Sequence, residues 1–88
     1  MAAKIVKKVN PEYPEWLKRD GIEGTVLIEA VVSQAGDIVS AKVENTLVHA
    51  DLAKAALDAV RQWQFQPTLL NGAPIEVVTR ITVRFQLN

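Results

Sequence analysis

From Arg80 to Leu87 the chain alternates without interruption. Ile81, Val83, Phe85 and Leu87 are apolar; Arg80, Thr82, Arg84 and Gln86 are polar. A period of two places each set on one face of a strand, so this stretch needs a covering layer on one side and water or a partner on the other. The rest of the chain must supply that layer. The strand is expected to run from Ile75 to Leu87.

Gly24 to Ser33, GTVLIEAVVS, is a second strand, rich in β-branched residues. Val26, Ile28, Ala30 and Val32 share one face, and Leu27, Glu29 and Val31 share the other. Apolar residues on both faces point to a central position in the sheet. Gln34-Ala35-Gly36-Asp37 reads as a tight hairpin turn with one positive φ at Gly36. Ile38 to Glu44 is the strand that returns.

The clearest helical pattern is His49 to Phe65. At about 100° per residue, Leu52, Ala55, Ala56, Ala59, Val60 and Trp63 fall on one face, opposite Lys54, Asp58 and Arg61. A second, short helix spans Pro14 to Arg19 and stops at Asp20-Gly21, where Gly21 suits the left-handed position after a helix. Lys4 to Val9 is a short strand or an arm, broken by Asn10-Pro11. Leu69 to Pro74 is a loop with an Asn-Gly turn signal. The order predicts an α+β two-layer sandwich, a three-stranded antiparallel sheet with two helices packed on one face. The crossover through the long helix returns the last strand beside the first of the hairpin, at a sheet edge. Residues 1–10 are expected as an N-terminal arm or short strand and 11–88 as the domain.

Composition excludes several functions. With 10 Lys+Arg against 10 Asp+Glu the formal charge is zero, so nothing supplies an overall basic footprint for nucleic acid. Cysteine is absent, which removes disulfides, thiolate metal sites and a cysteine nucleophile. One histidine and two serines, His49, Ser33 and Ser40, supply no nucleophile elbow, and Ser33 suits local hydrogen bonding at the turn. His49 reads as a helix-start residue. Glu29 and Glu44 read as a solvated pair on one sheet face. Gly21-Ile22-Glu23-Gly24 precedes a strand, so it lacks the dinucleotide context. The expectation is a non-enzyme with no metal, no cofactor and no small-molecule ligand. Lys4, Lys7, Lys8, Lys18 and Arg19 make the N-terminal part locally basic, either as a solvated surface or as attraction to an acidic partner or membrane. Met1-Ala2-Ala3-Lys4 starts no apolar export signal, so the expectation is a cytoplasmic chain or a domain cut from a longer exported protein.

The last strand carries the most physical content. An edge strand shows unpaired N–H and C=O groups that template another chain. Arg80 and Arg84 read as guards against that pairing. The alternative is an open edge that takes an extended peptide by strand addition.

Several pieces in order resemble one family: Tyr13-Pro14; Gly21-Ile22-Glu23-Gly24-Thr25-Val26; the Gln34–Asp37 hairpin; His49 before Asp51-Leu52; Ala55 to Val60; Trp63-Gln64-Phe65-Gln66-Pro67; Asn71-Gly72-Ala73-Pro74; and the alternating strand through Phe85. Together, from about Pro11 to Leu87, they look like the C-terminal domain of TonB-type energy transducers. That resemblance implies a periplasmic domain of an inner-membrane-anchored protein, reached through a Pro-rich linker. It implies binding to TonB-dependent outer-membrane transporters, whose TonB-box peptide adds beside the last strand. An inner-membrane motor complex, acting through the N-terminal region, would couple proton-motive force to transmembrane uptake such as siderophore transport. Carried over, the partner-binding residues are Arg80, Ile81, Thr82, Val83, Arg84 and Gln86, with Asn10, Glu12 and Tyr13 touching the transporter plug. Trp63 and Phe65 would be core. The chain departs from the pattern in Val48-His49-Ala50 at the start of the helix, where many relatives have Gly-His-Pro. It carries no anchor or linker and is expected to be an excised domain, with no residue after Asn88 to cover the edge. A second reading is a TonB-like fold used for generic interaction or as a strand-exchanged homodimer.

Overall fold

A computed structural model describes residues 4–45 and 47–87. Its elements are β1 (Lys4–Lys7), α1 (Glu15–Arg19), β2 (Gly24–Val32), β3 (Ile38–Val43), α2 (Ala50–Val60), β4 (Gln64–Gln66), β5 (Thr68–Leu70), β6 (Ala73–Ile75) and β7 (Val77–Phe85). Residues 1–3 of the expected arm, and Asn88, lie outside the described residues.

The main sheet has the order β3-β2-β7 and is antiparallel throughout. β2 is central, as its two partly apolar faces require. It pairs with β7 without a break from Gly24↔Phe85 to Val32↔Val77. Val26, Ile28, Ala30 and Val32 of β2 and Ile81, Val83 and Phe85 of β7 are buried on one face. Leu17 of α1 and Leu52, Ala56 and Val60 of α2 cover them. This is the expected α+β two-layer arrangement. Each of the larger aliphatic side chains removed from water contributes roughly 1.5–3 kcal/mol.

Local chemistry accounts for the ends of α1. Pro14 stands just outside the helix as its N-cap, at φ −56° and ψ 131°, rather than in its first turn. Its carbonyl accepts from the Leu17 and Lys18 amides. After the helix, Gly21 takes φ 68°, and the Gly21 and Ile22 amides return to the Lys18 and Leu17 carbonyls. That is a Schellman closure.

Three expectations are corrected. The long helix ends at Val60, not Phe65. Beyond it the Gln62 and Trp63 amides make tight turns to Ala59 and Val60, and Gln64–Gln66 is a strand paired with β1. Trp63 fits the helical face, but Trp63 and Phe65 also alternate with glutamines at a period of two. The sheet claims them, because the Phe65 amide donates to the Gly36 carbonyl at 2.8 Å and both rings enter the core. The last strand starts at Val77, not Ile75, and stops at Phe85. Residues 68–75, expected as a loop running into that strand, form the β5–β6 hairpin, whose tip is Asn71 and Gly72 at φ 53° and 82°. Two consecutive positive φ values are what a two-residue hairpin turn needs, and Asn-Gly supplies them.

Candidate functional site

The free edge of β7 is set by which backbone groups its neighbour uses. The Leu27 carbonyl accepts from the Glu44 amide at 2.7 Å, and the Leu27 amide donates to Asn45 Oδ1 at 2.8 Å. Asn45 Nδ2 donates in turn to the Thr25 carbonyl at 2.7 Å. The odd residues of β2 therefore aim their backbone groups at the β3 side, and the even residues aim theirs at β7. In an antiparallel ladder this assigns Thr79, Ile81, Val83 and Phe85 to the bonds with β2. The Leu87 amide, which donates to Glu23 Oε2 at 2.6 Å, follows the same phase. Val78, Arg80, Thr82 and Arg84 are left with N–H and C=O directed outward, away from every described strand.

The opposite edge of the sheet is different in kind. β3 has six residues and its pairing skips Val39, since Val31 pairs with Ser40 and Val32 with Ile38. A bulge of this sort twists an edge out of register and blunts it against strand addition. The nine residues of β7 are paired with β2 without a bulge.

Of the residues expected at a partner site, Ile81 and Val83 are core residues whose side chains face the helices. Arg80, Thr82 and Arg84 stand on the uncovered outer face, with Gln86 exposed just past the strand. Arg80 does not guard the edge. Its Nε lies 3.2 Å from Glu44 Oε1, and to reach it the side chain crosses the central strand toward the β3 side. Glu29 pairs with Lys42 at 3.7 Å. Glu29 and Glu44 thus share the outer face, each beside a cation.

The N-terminal residues divide. Tyr13 meets the end of β7, its ring edge-on to Phe85 with centroids 5.2 Å apart. Its phenol donates to the Ile22 carbonyl. Burial, and then the Glu23 carboxylate, push that phenol above its ordinary range. Asn10 and Glu12 instead line an open groove of about 540 Å³ against α2, where Asp51, Lys54 and Asp58 face them. No β7 residue lines that groove. The segment is anchored by Trp63, whose indole N–H donates to the Val9 carbonyl at 2.8 Å.

His49 resolves the unusual start of α2. It is the N-cap, and its Nδ1 accepts from the Asp51 amide at 3.1 Å. Ser33 Oγ likewise accepts from the Ala35 and Asp37 amides within the hairpin turn. Among the described residues no group of three or more His, Cys, Asp or Glu converges, and no helix is long and apolar enough to cross a membrane.

Asn45 and the Arg80–Glu44 pair escape a reading of the sequence. Asn45 acts as a side-chain peptide group prolonging the β3 ladder, and its only local signal is an Asn following a strand. Glu44 meets Arg80 only because β2 stands between them.

Comparison with known proteins gives the chain a family and a shared fold. Residues 9–87 match the family model described as Gram-negative bacterial TonB protein C-terminal. The chain is 33% identical over 85 residues to Protein TonB of Vibrio cholerae, covering 97% of this chain and 35% of that protein. It is 35% identical over 83 residues to Protein TonB of Xanthomonas campestris pv. campestris, covering 93% and 37%. The chain therefore spans about a third of the length of these relatives. The solution NMR structure of the Pseudomonas aeruginosa TonB CTD superposes with a TM-score of 0.81 at 21% identity, over 97% of this chain and 86% of that one. That likeness shows a shared fold.

Proposed function

The chain belongs to the Gram-negative bacterial TonB protein C-terminal family, and on that premise we propose that it is the partner-gripping domain of a TonB-like energy transducer. It is a binding module and not an enzyme. It works in the periplasm as part of an inner-membrane-anchored protein. Its partners are outer-membrane transporters, and a TonB-box segment of the transporter adds as a strand beside β7. An inner-membrane motor complex, acting through a region N-terminal to this domain, supplies the proton-motive energy.

The observation that carries this reading is the regular, unbulged edge of β7 with four residues whose backbone groups point outward. An added strand makes a row of backbone bonds. Force along the strand loads that row in shear, so several bonds share it. In this reading Tyr13, packed at the end of β7, would meet the same partner, and Asn10 and Glu12, on the α2 groove, a different part of it.

Titrating the isotope-labelled domain with peptides from the N-terminal plugs of outer-membrane transporters tests this. Amide shifts and slowed exchange at Val78, Arg80, Thr82 and Arg84 are expected. Absence of shifts with every such peptide, together with a concentration-dependent dimer on the same strand, would overturn it. It would favour the second reading, self-association through the edge, which the same unpaired backbone groups support.

A further inference from the structure

Resting on the reading of β7 as a docking edge, we propose that Arg84 selects a partner segment bearing a carboxylate and fixes the register in which that segment adds. Backbone pairing alone does not fix register. A slide of two residues keeps each side chain on its face and preserves most of the ladder. Only the side chains along the edge break that degeneracy, and here they differ sharply in charge.

Val78 and Thr82 are neutral. Arg80 is already engaged, 3.2 Å from Glu44 and directly opposite Glu29 in the β2–β7 register. Arg84 faces Thr25 in that register. Among the described residues no carboxylate lies within salt-bridge distance of Arg84. The acid beside it in sequence register, Glu23, accepts from the Leu87 amide at 2.6 Å. Arg84 is exposed and its backbone belongs to the free edge. A strand added there brings the side chain opposite Arg84 to a Cβ separation of about 5 Å on the same face. A guanidinium donates two parallel N–H bonds to a carboxylate at that spacing. At the other end of the edge stands Glu76, exposed and immediately before β7. It repels an acidic side chain that slides toward it. One end of the edge attracts a carboxylate, the other rejects it, and the cation between them is neutralised internally. The preferred segment has an acidic residue opposite Arg84 and an apolar one opposite Val78.

The test uses two Thr/Val/Gln peptides matched to the nine residues of β7. One carries a single Glu and the other has Gln in its place. Both are titrated into the labelled 88-residue chain. The Glu peptide is expected to bind about three- to five-fold more tightly, the size of a cross-strand ion pair. That gap should close in Arg84→Gln, persist in Arg80→Gln and shrink with salt. Arg84→Glu should prefer the same peptide with Lys in place of Glu. Equal affinities in the parent, or a gap surviving Arg84→Gln, would overturn the role of Arg84 while shifts at Val78, Arg80, Thr82 and Arg84 left the docking edge standing. If neither peptide moved those amides, the docking edge and the role of Arg84 would fall together.

Discussion

Two glycines with the same backbone requirement separate local from tertiary demands. Gly21 and Gly36 both hold positive φ, 68° and 95°. A Cβ on Gly21 would meet open space, whereas one on Gly36 would lie 1.9 Å from the Phe65 carbonyl oxygen. Gly21→Ala should cost about 1–2 kcal/mol, the left-handed backbone alone. Gly36→Ala adds the displacement of β4, about 1–3 kcal/mol more. Urea midpoints of the two variants, fitted with a common m-value, check the order. Equal losses would mean that β4 yields freely. Tyr13 makes a pH prediction. Its phenol stays protonated to higher pH in the fold than the ordinary 10.0, by burial first and Glu23 second. The folded state therefore holds that proton more tightly than the unfolded state. Its contribution is fully present below about pH 10 and is lost as pH rises through the folded value. Tyr13→Phe should lose stability at neutral pH with its hydrogen bond and show a shallower alkaline decline. The chain has one tyrosine, so phenolate absorbance in the parent follows this group alone.

Along β7, neighbouring residues have opposite backbone duties. The Ile81 amide belongs to the ladder with β2, while the Thr82 amide faces outward. Proline removes the N–H wherever it stands. Ile81→Pro should destabilise the sheet strongly, visible as a collapse of amide dispersion or a large fall in Tm. Thr82→Pro should fold and lose most of its affinity for a peptide that docks on the edge. A folded Thr82→Pro domain that bound such a peptide as the parent does would show that the edge is not the docking site. Much of this element was legible beforehand. Its alternation placed Ile81, Val83 and Phe85 toward the core and Arg80, Thr82 and Arg84 away from it. Its start was not legible, because Ile75 suits a strand whether its partner is β2 or the short β5.

At the scale of the whole molecule, the described structure measures 50 × 22 × 19 Å along its principal axes. A three-stranded sheet under two helices forms the body, and the β1–β4 and β5–β6 pairs extend it. What depends on near neighbours is written along the chain: the faces of β2 and β7, the apolar stripe of α2, the glycine and Asn-Gly turns, and the order that leaves β7 at an edge. Periodicity and turn chemistry act over a few residues, so they are written locally. The tertiary structure decided what depends on residues far apart in the chain. Phe65 leaves the helical pattern because Gly36 offers it a carbonyl. Arg80 is paired because Glu44 lies across β2, and among the described residues Arg84 has no such partner, with Thr25 opposite it. The bulge at Val39 blunts one edge, and the unbroken pairing of β7 leaves the other open. A backbone group or a charge is satisfied only by what lies beside it in space, and in this chain the deciding neighbours come from other elements.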